Sequence, residues 1–130
     1  MEAKNKVIIK SPKAPAAVGP YSQGTRFGDL IFTAGQIPLD PATGEIAGVT
    51  AEEQTRRVLQ NLQAVLEEGG ASFQTVLKAT VFMVNLGDFA AMNKVFTEFF
   101  GDSLPARSTI QVAALPKGAQ VEIEVVAFRK

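Results

Sequence analysis

Apolar residues recur along this chain with two different periods. Between Thr50 and Glu68, the residues Val58, Leu59, Leu62, Val65 and Leu66 fall on one face at helical spacing. Thr50 followed three residues later by Glu53 is a capping box, and Gly69-Gly70 is a stop signal, so the pattern predicts a helix over 50–68. A second stripe of Phe89, Met92, Phe96, Phe99 and Phe100 predicts another helix, capped by Asp88 and ended by Gly101. Its methionine and phenylalanines read as core packing.

Elsewhere the period shortens to two. Val7 to Ile9 reads as a short strand, and Thr25 to Phe27 and Leu30 to Thr33 flank Gly28-Asp29 as a hairpin. Leu77 to Val84 is apolar at both parities, as expected of a strand covered on both faces. Ser108 to Ala113 and Val121 to Arg129 read as two further strands with a turn at Leu115 to Gly118. Ser11 to Ser22 carries Pro12, Pro15 and Pro20 and reads as an extended loop; Pro38 to Gly44 is turn-rich.

The order of strands, helix, strand, helix, strand, strand is that of an α+β domain: a mixed sheet with two helices packed on one face. Residues 1–130 are the length of one domain, and no linker or repeat divides them. Two helices cover only one sheet face, yet Val126 and Phe128 lie opposite Val121, Ile123 and Val125 on the last strand. A second face bearing such residues is expected to be covered by another copy of the chain.

Composition narrows the chemistry. The chain has no His, Cys or Trp, so the usual zinc, haem, thiol and Ser-His-Asp arrangements are excluded. Thirteen basic residues balance thirteen acidic ones, and the longest basic run is Arg56-Arg57, which argues against charge-driven nucleic-acid binding. No apolar stretch approaches the roughly 18 residues of a membrane span, and no secretory pattern opens the chain, so a cytoplasmic location is expected.

Four segments can carry chemistry. In Leu104-Pro105-Ala106-Arg107-Ser108-Thr109, proline fixes the entry to a strand and places Arg107 at its start, where a guanidinium can hold a carboxylate with two parallel hydrogen bonds. Taken alone, it reads first as a surface arginine at a strand end. Glu122 and Glu124 share one strand face with Val126 and Phe128; such carboxylates either face solvent or, in a cleft, accept a proton from water. Gly19-Pro20-Tyr21-Ser22-Gln23 presents the only tyrosine, and Thr33-Ala34-Gly35-Gln36 allows close backbone approach at Gly35.

Together, the blocks Ala14 to Gln23, Phe32 to Pro38, Pro105 to Ser108 and Val121 to Glu124 resemble the RidA (YjgF/UK) family of reactive intermediate deaminases, over about Val7 to Arg129. The resemblance implies a chorismate-mutase-like fold and a homotrimer with clefts between subunits. It implies hydrolysis of 2-imino acids such as 2-iminobutanoate and 2-iminopropanoate, released by pyridoxal-phosphate enzymes, to 2-oxo acids and ammonia, without metal or organic cofactor. On this resemblance Arg107 clamps the substrate carboxylate and Glu122 holds the attacking water. Tyr21 and Asn93 line the cleft, the Gly35 backbone forms its floor, and Thr109 offers a backbone carbonyl where many members have Cys. Ala34 stands where a number of members have Ser. Two other readings come with the fold: a small-anion (2-oxo acid) binding or regulatory module without turnover, and the RNA cleavage or chaperone-like roles attributed to relatives. The charge pattern and the absence of His give no support to RNA cleavage.

Overall fold

A computed structural model describes residues 5–130. Six strands, β1 (Val7–Ile9), β2 (Gly24–Phe27), β3 (Leu30–Thr33), β4 (Val76–Met83), β5 (Ala106–Gln111) and β6 (Val121–Phe128), form one sheet in the order β1-β2-β3-β6-β4-β5. All neighbours are antiparallel except β4 and β5, which run parallel. The helices α1 (Ala51–Glu68) and α2 (Phe89–Phe100) pack on each other, and α1 lies on β6 and β3. The α+β architecture expected from the sequence is the one observed.

Local chemistry explains most boundaries. Thr50 Oγ1 accepts from the Glu53 N–H, and Glu53 Oε1 accepts from the Thr50 N–H, each near 3 Å, so the capping box forms as expected. Val58, Leu59, Leu62, Val65 and Leu66 are fully enclosed between helix and sheet. The cap of α2 differs from expectation. Asp88 occupies the cap position without making a side-chain cap bond, because a preceding 3-10 turn over Leu86–Asp88 is nucleated by Asn85, whose side chain accepts from the Gly87 N–H at 2.8 Å.

Strand β5 starts two residues earlier than the sequence pattern indicates and ends at Gln111. Pairing with β4 begins at Ala106 opposite Lys78, and the Val112 N–H donates the last bond to the Met83 carbonyl. In a parallel pair the bonding residues alternate, so the backbone groups of Arg107, Thr109 and Gln111 point to the free edge of the sheet.

The expected double burial of β4 is not met within one chain. Ala79, Val81 and Met83 lie under the helices, whereas Thr80 and Phe82 are only half covered. They belong to an open sheet face that also presents Ile8, Phe27, Leu30, Phe32, Ile110 and Phe128, each at least 40% exposed. Val84 falls outside the strand, and a register shift between Val76 and Lys78 leaves Leu77 unpaired with β6.

Candidate functional site

The candidate residues separate into two groups on opposite sides of the sheet. Glu122 on β6 stands across from Phe82 on the open face, at the end of the sheet where Gln36 forms a bridge to Ile123. It shares a groove of about 400 Å³ with Tyr21, Ala34, Gly35, Gln36 and Lys117. The Glu122 carboxylate rests on Gly35 so closely that a Cβ there would lie 2.8 Å from its Cδ. Burial raises the Glu122 pKa above the ordinary carboxylate value, and the neighbouring charge of Glu124 adds to the rise.

Tyr21 reaches this groove from the proline-rich loop. Gly19, with φ of 135°, takes a backbone conformation open to glycine, and its carbonyl accepts from the Tyr21 N–H at 2.9 Å. The Tyr21 hydroxyl accepts from the Val18 N–H at 3.3 Å. Gln23, 4% exposed, fastens the loop to the sheet: its Oε1 accepts from the Ser11 N–H at 2.6 Å, and its Nε2 donates to the carbonyls of Pro15 at 2.7 Å and Ser11 at 3.2 Å. Asn61, on α1, does the same for the far wall, donating to the Leu39 carbonyl at 2.9 Å.

The second group lies on the helix side. Arg107 on β5 pairs with Ala79 and points toward α2, where it lines a recess with Asn93, Phe96, Thr97, Leu104 and Pro105. Its Cζ lies over the rings of Phe96 and Phe89, 4.8 and 5.4 Å from their centroids, and its Nη1 donates to the Met92 sulfur at 3.9 Å. Among the described residues no carboxylate pairs with it. Burial alone pulls its pKa down, but the guanidinium stays charged. A carboxylate placed beside it would restore what the group loses in solvation.

Thr109 follows Arg107 on the same strand face. Its hydroxyl is enclosed and has no hydrogen-bond partner among the described residues, while its backbone carbonyl lies at the free sheet edge. The Asn93 side-chain amide also has no partner among the described residues. No cluster of three acidic side chains able to hold a metal ion occurs among them, and no helix among them is long and apolar enough to cross a membrane.

Thus Tyr21, Gly35 and Glu122 meet in one groove, and Arg107, Asn93 and Thr109 gather elsewhere. The sheet stands between the two groups within one chain. The sequence reading missed the aromatic cradle of Arg107, because Phe89, Met92 and Phe96 read as core; their spacing of three and four residues was the available signal.

Known proteins are similar to this chain in both sequence and fold. The family model described as Endoribonuclease L-PSP matches residues 11–129. A RutC family protein of Pyrococcus abyssi is 50% identical over 125 residues, covering 96% of this chain and 98% of its own length. The 2-iminobutanoate/2-iminopropanoate deaminase of Capra hircus is 44% identical over 122 residues, covering 94% of this chain and 89% of its own. The crystal structure of E. coli TdcF with bound serine superposes with a TM-score of 0.90 at 43% identity, covering 95% of this chain and 99% of that one.

Proposed function

The chain belongs to the Endoribonuclease L-PSP family, also called YjgF/RidA, and from its site we propose that it hydrolyses 2-imino acids such as 2-iminobutanoate and 2-iminopropanoate to 2-oxo acids and ammonia. The observation that carries this reading is Arg107. It is a desolvated guanidinium without a carboxylate partner among the described residues, oriented by aromatic rings at a recess of small-molecule size. The naming of the Capra hircus relative supports the same chemistry.

In this reading the two groups of residues complete each other between neighbouring copies. Arg107, Asn93 and the Thr109 carbonyl come from one copy; Tyr21, Gly35 and Glu122 come from the next. Three copies close the ring as a homotrimer. The exposed apolar sheet face supports such packing, since Phe32, Ile110 and Phe128 remain 40–45% exposed within the chain.

The steps follow from the chemistry of the imine. Arg107 binds the substrate carboxylate bidentately and sets which face of C2 meets the water. Glu122, ionised, takes a proton from water as the new O–C2 bond forms. It then gives that proton to the nitrogen of the carbinolamine. The hydroxyl proton then passes through Glu122 to the same nitrogen, so that the C–N bond breaks with its electron pair leaving on ammonia, and the 2-oxo acid forms with Glu122 ionised again.

A second reading has its own support. E. coli TdcF was crystallised with serine, which is not an imine, and a small-anion binding or regulatory module would need Arg107 but not Glu122. A coupled assay separates the two. Threonine dehydratase generates 2-iminobutanoate, and release of 2-oxobutanoate is followed with and without the protein. The deaminase reading expects acceleration by wild type and none by Arg107→Ala. Binding of 2-oxobutanoate without acceleration would replace it with the binding-module reading.

A further inference from the structure

Arg107 has a long, flexible side chain, and its guanidinium would sample many positions if only its own strand constrained it. The structure holds it from α2. Phe89, Met92 and Phe96 occupy one helix face, and all three touch the guanidinium. Phe96 lies nearer than Phe89 and, at 3% exposure, is far less free to move than the half-exposed Phe89. It stacks on Phe100 with centroids 4.2 Å apart and planes 16° from parallel, and Phe100 meets the edge of Phe73 in the core.

We propose that Phe96 is a positioning residue for Arg107. Its ring holds the guanidinium plane in place from the protein core, so that the donors not facing Met92 remain directed at the carboxylate of a 2-imino or 2-oxo acid. This deepens the deaminase reading and rests on it for the identity of the ligand. The physical basis is twofold. Attraction between the cation and the ring face strengthens as water is removed, and this guanidinium is partly buried. A side chain already ordered in the free protein loses less entropy when the ligand binds.

The contact acts on a carboxylate that stays bound and unchanged from imine to carbinolamine. Phe96 governs how readily the guanidinium is in place; once the two hydrogen bonds have formed, Arg107 orients C2 as in wild type, so loss of the ring raises KM and leaves kcat alone. A residue that served only to fill the core would instead lower stability, with KM unchanged.

The test compares Phe96→Leu, which keeps an apolar side chain of similar bulk, with Phe96→Tyr, which keeps the ring. Each is studied as the full chain in its native assembly. Two quantities are read: KM and kcat for 2-iminobutanoate, and the ring-current shift of the Arg107 Nε–H proton in the ligand-free protein. The proposal expects about a tenfold rise in KM for Phe96→Leu, with kcat within about twofold of wild type. It expects loss of the upfield Nε–H shift in the same variant and recovery of both properties in Phe96→Tyr. An unchanged KM in a folded Phe96→Leu protein would overturn it, as would a wild-type Arg107 Nε–H at the shift of a free arginine. If wild type shows no imine hydrolysis while the upfield shift is present and lost in Phe96→Leu, the cradle stands and the deaminase reading falls.

Discussion

The carboxylate of Glu122 lies directly against the Cα of Gly35: a Cβ at position 35 would overlap Oε2 and come within 3.0 Å of Cγ. Strand β6 and the bridge between Gln36 and Ile123 fix this approach, since the Gln36 N–H donates to the Ile123 carbonyl at 2.9 Å and the Ile123 N–H donates back at 3.2 Å. The glycine is needed here for space beside the Glu122 carboxylate.

Gly35→Ala therefore displaces the proposed base while leaving Arg107 on the other side of the sheet undisturbed. We expect kcat for 2-iminobutanoate to fall about a hundredfold with KM little changed, the size of effect that follows from a displacement of about 1 Å at a reacting group. Steady-state kinetics of the variant checks this. A kcat near that of wild type would show that the carboxylate does not act from this position.

The pH dependence follows from the direction of the Glu122 shift. Its pKa is raised, first by burial and then by Glu124, and a base must be ionised to take a proton from water. Activity is thus expected to fall as pH drops through a value above the ordinary 4.5 of a glutamate. Glu124→Gln removes the smaller cause and should move this acid limb part of the way to lower pH. The stability linkage has the matching sign. Ionised Glu122 is harder to accommodate in the folded state, so Glu122→Gln should stabilise the protein above the folded pKa, and that gain should vanish as pH falls through it. Rate profiles and thermal melts across pH 4 to 8, about the range in which a raised glutamate titrates, read both effects. An acid limb at or below 4.5 would remove Glu122 as the base.

Gln23 is a stability test for the loop that carries Tyr21. Its amide serves the Ser11 N–H and the carbonyls of Ser11 and Pro15 in a buried setting. Gln23→Ala leaves those backbone groups without partners and opens a small void, a loss of about 2 to 4 kcal/mol. Denaturant unfolding should show it. A loss below about 0.5 kcal/mol, typical of surface substitutions, would mean that the loop holds its place without the clasp.

Much of this arrangement is legible in the sequence, for identifiable reasons. The capping box at Thr50 and Glu53, the stripe of α1 and the hairpin at Gly28-Asp29 depend on neighbours in the chain, so local pattern suffices to find them. Parity along β6 correctly places Glu122 and Glu124 on the face opposite Val121, Ile123 and Val125. Parity cannot relate one strand to another, however. That β6 enters between β3 and β4, and that β5 joins β4 in parallel, decides that Arg107 and Glu122 face opposite sides of the sheet, and both pairings join distant segments. The aromatic cradle was hidden for a related reason. Helical spacing shows which residues share a face, but not which side chain from another strand lies upon it. One side of β4 stays half covered within the chain, and a strand apolar at both parities looks the same in sequence whether a helix or a second copy is to cover it.

In the proposed assembly one site is made from Arg107 of one copy and Glu122 of its neighbour. Mixing two inactive variants tests it most directly. Arg107→Ala and Glu122→Gln proteins are unfolded together, refolded as a mixture, and assayed against 2-iminobutanoate. If every site takes one residue from each of two adjacent copies, random assembly restores an intact pair at about a quarter of the sites, and activity returns to about that fraction of wild type. If both residues act from the same copy, no intact pair can form, and the mixture stays as inactive as its parents; that result would contradict the account.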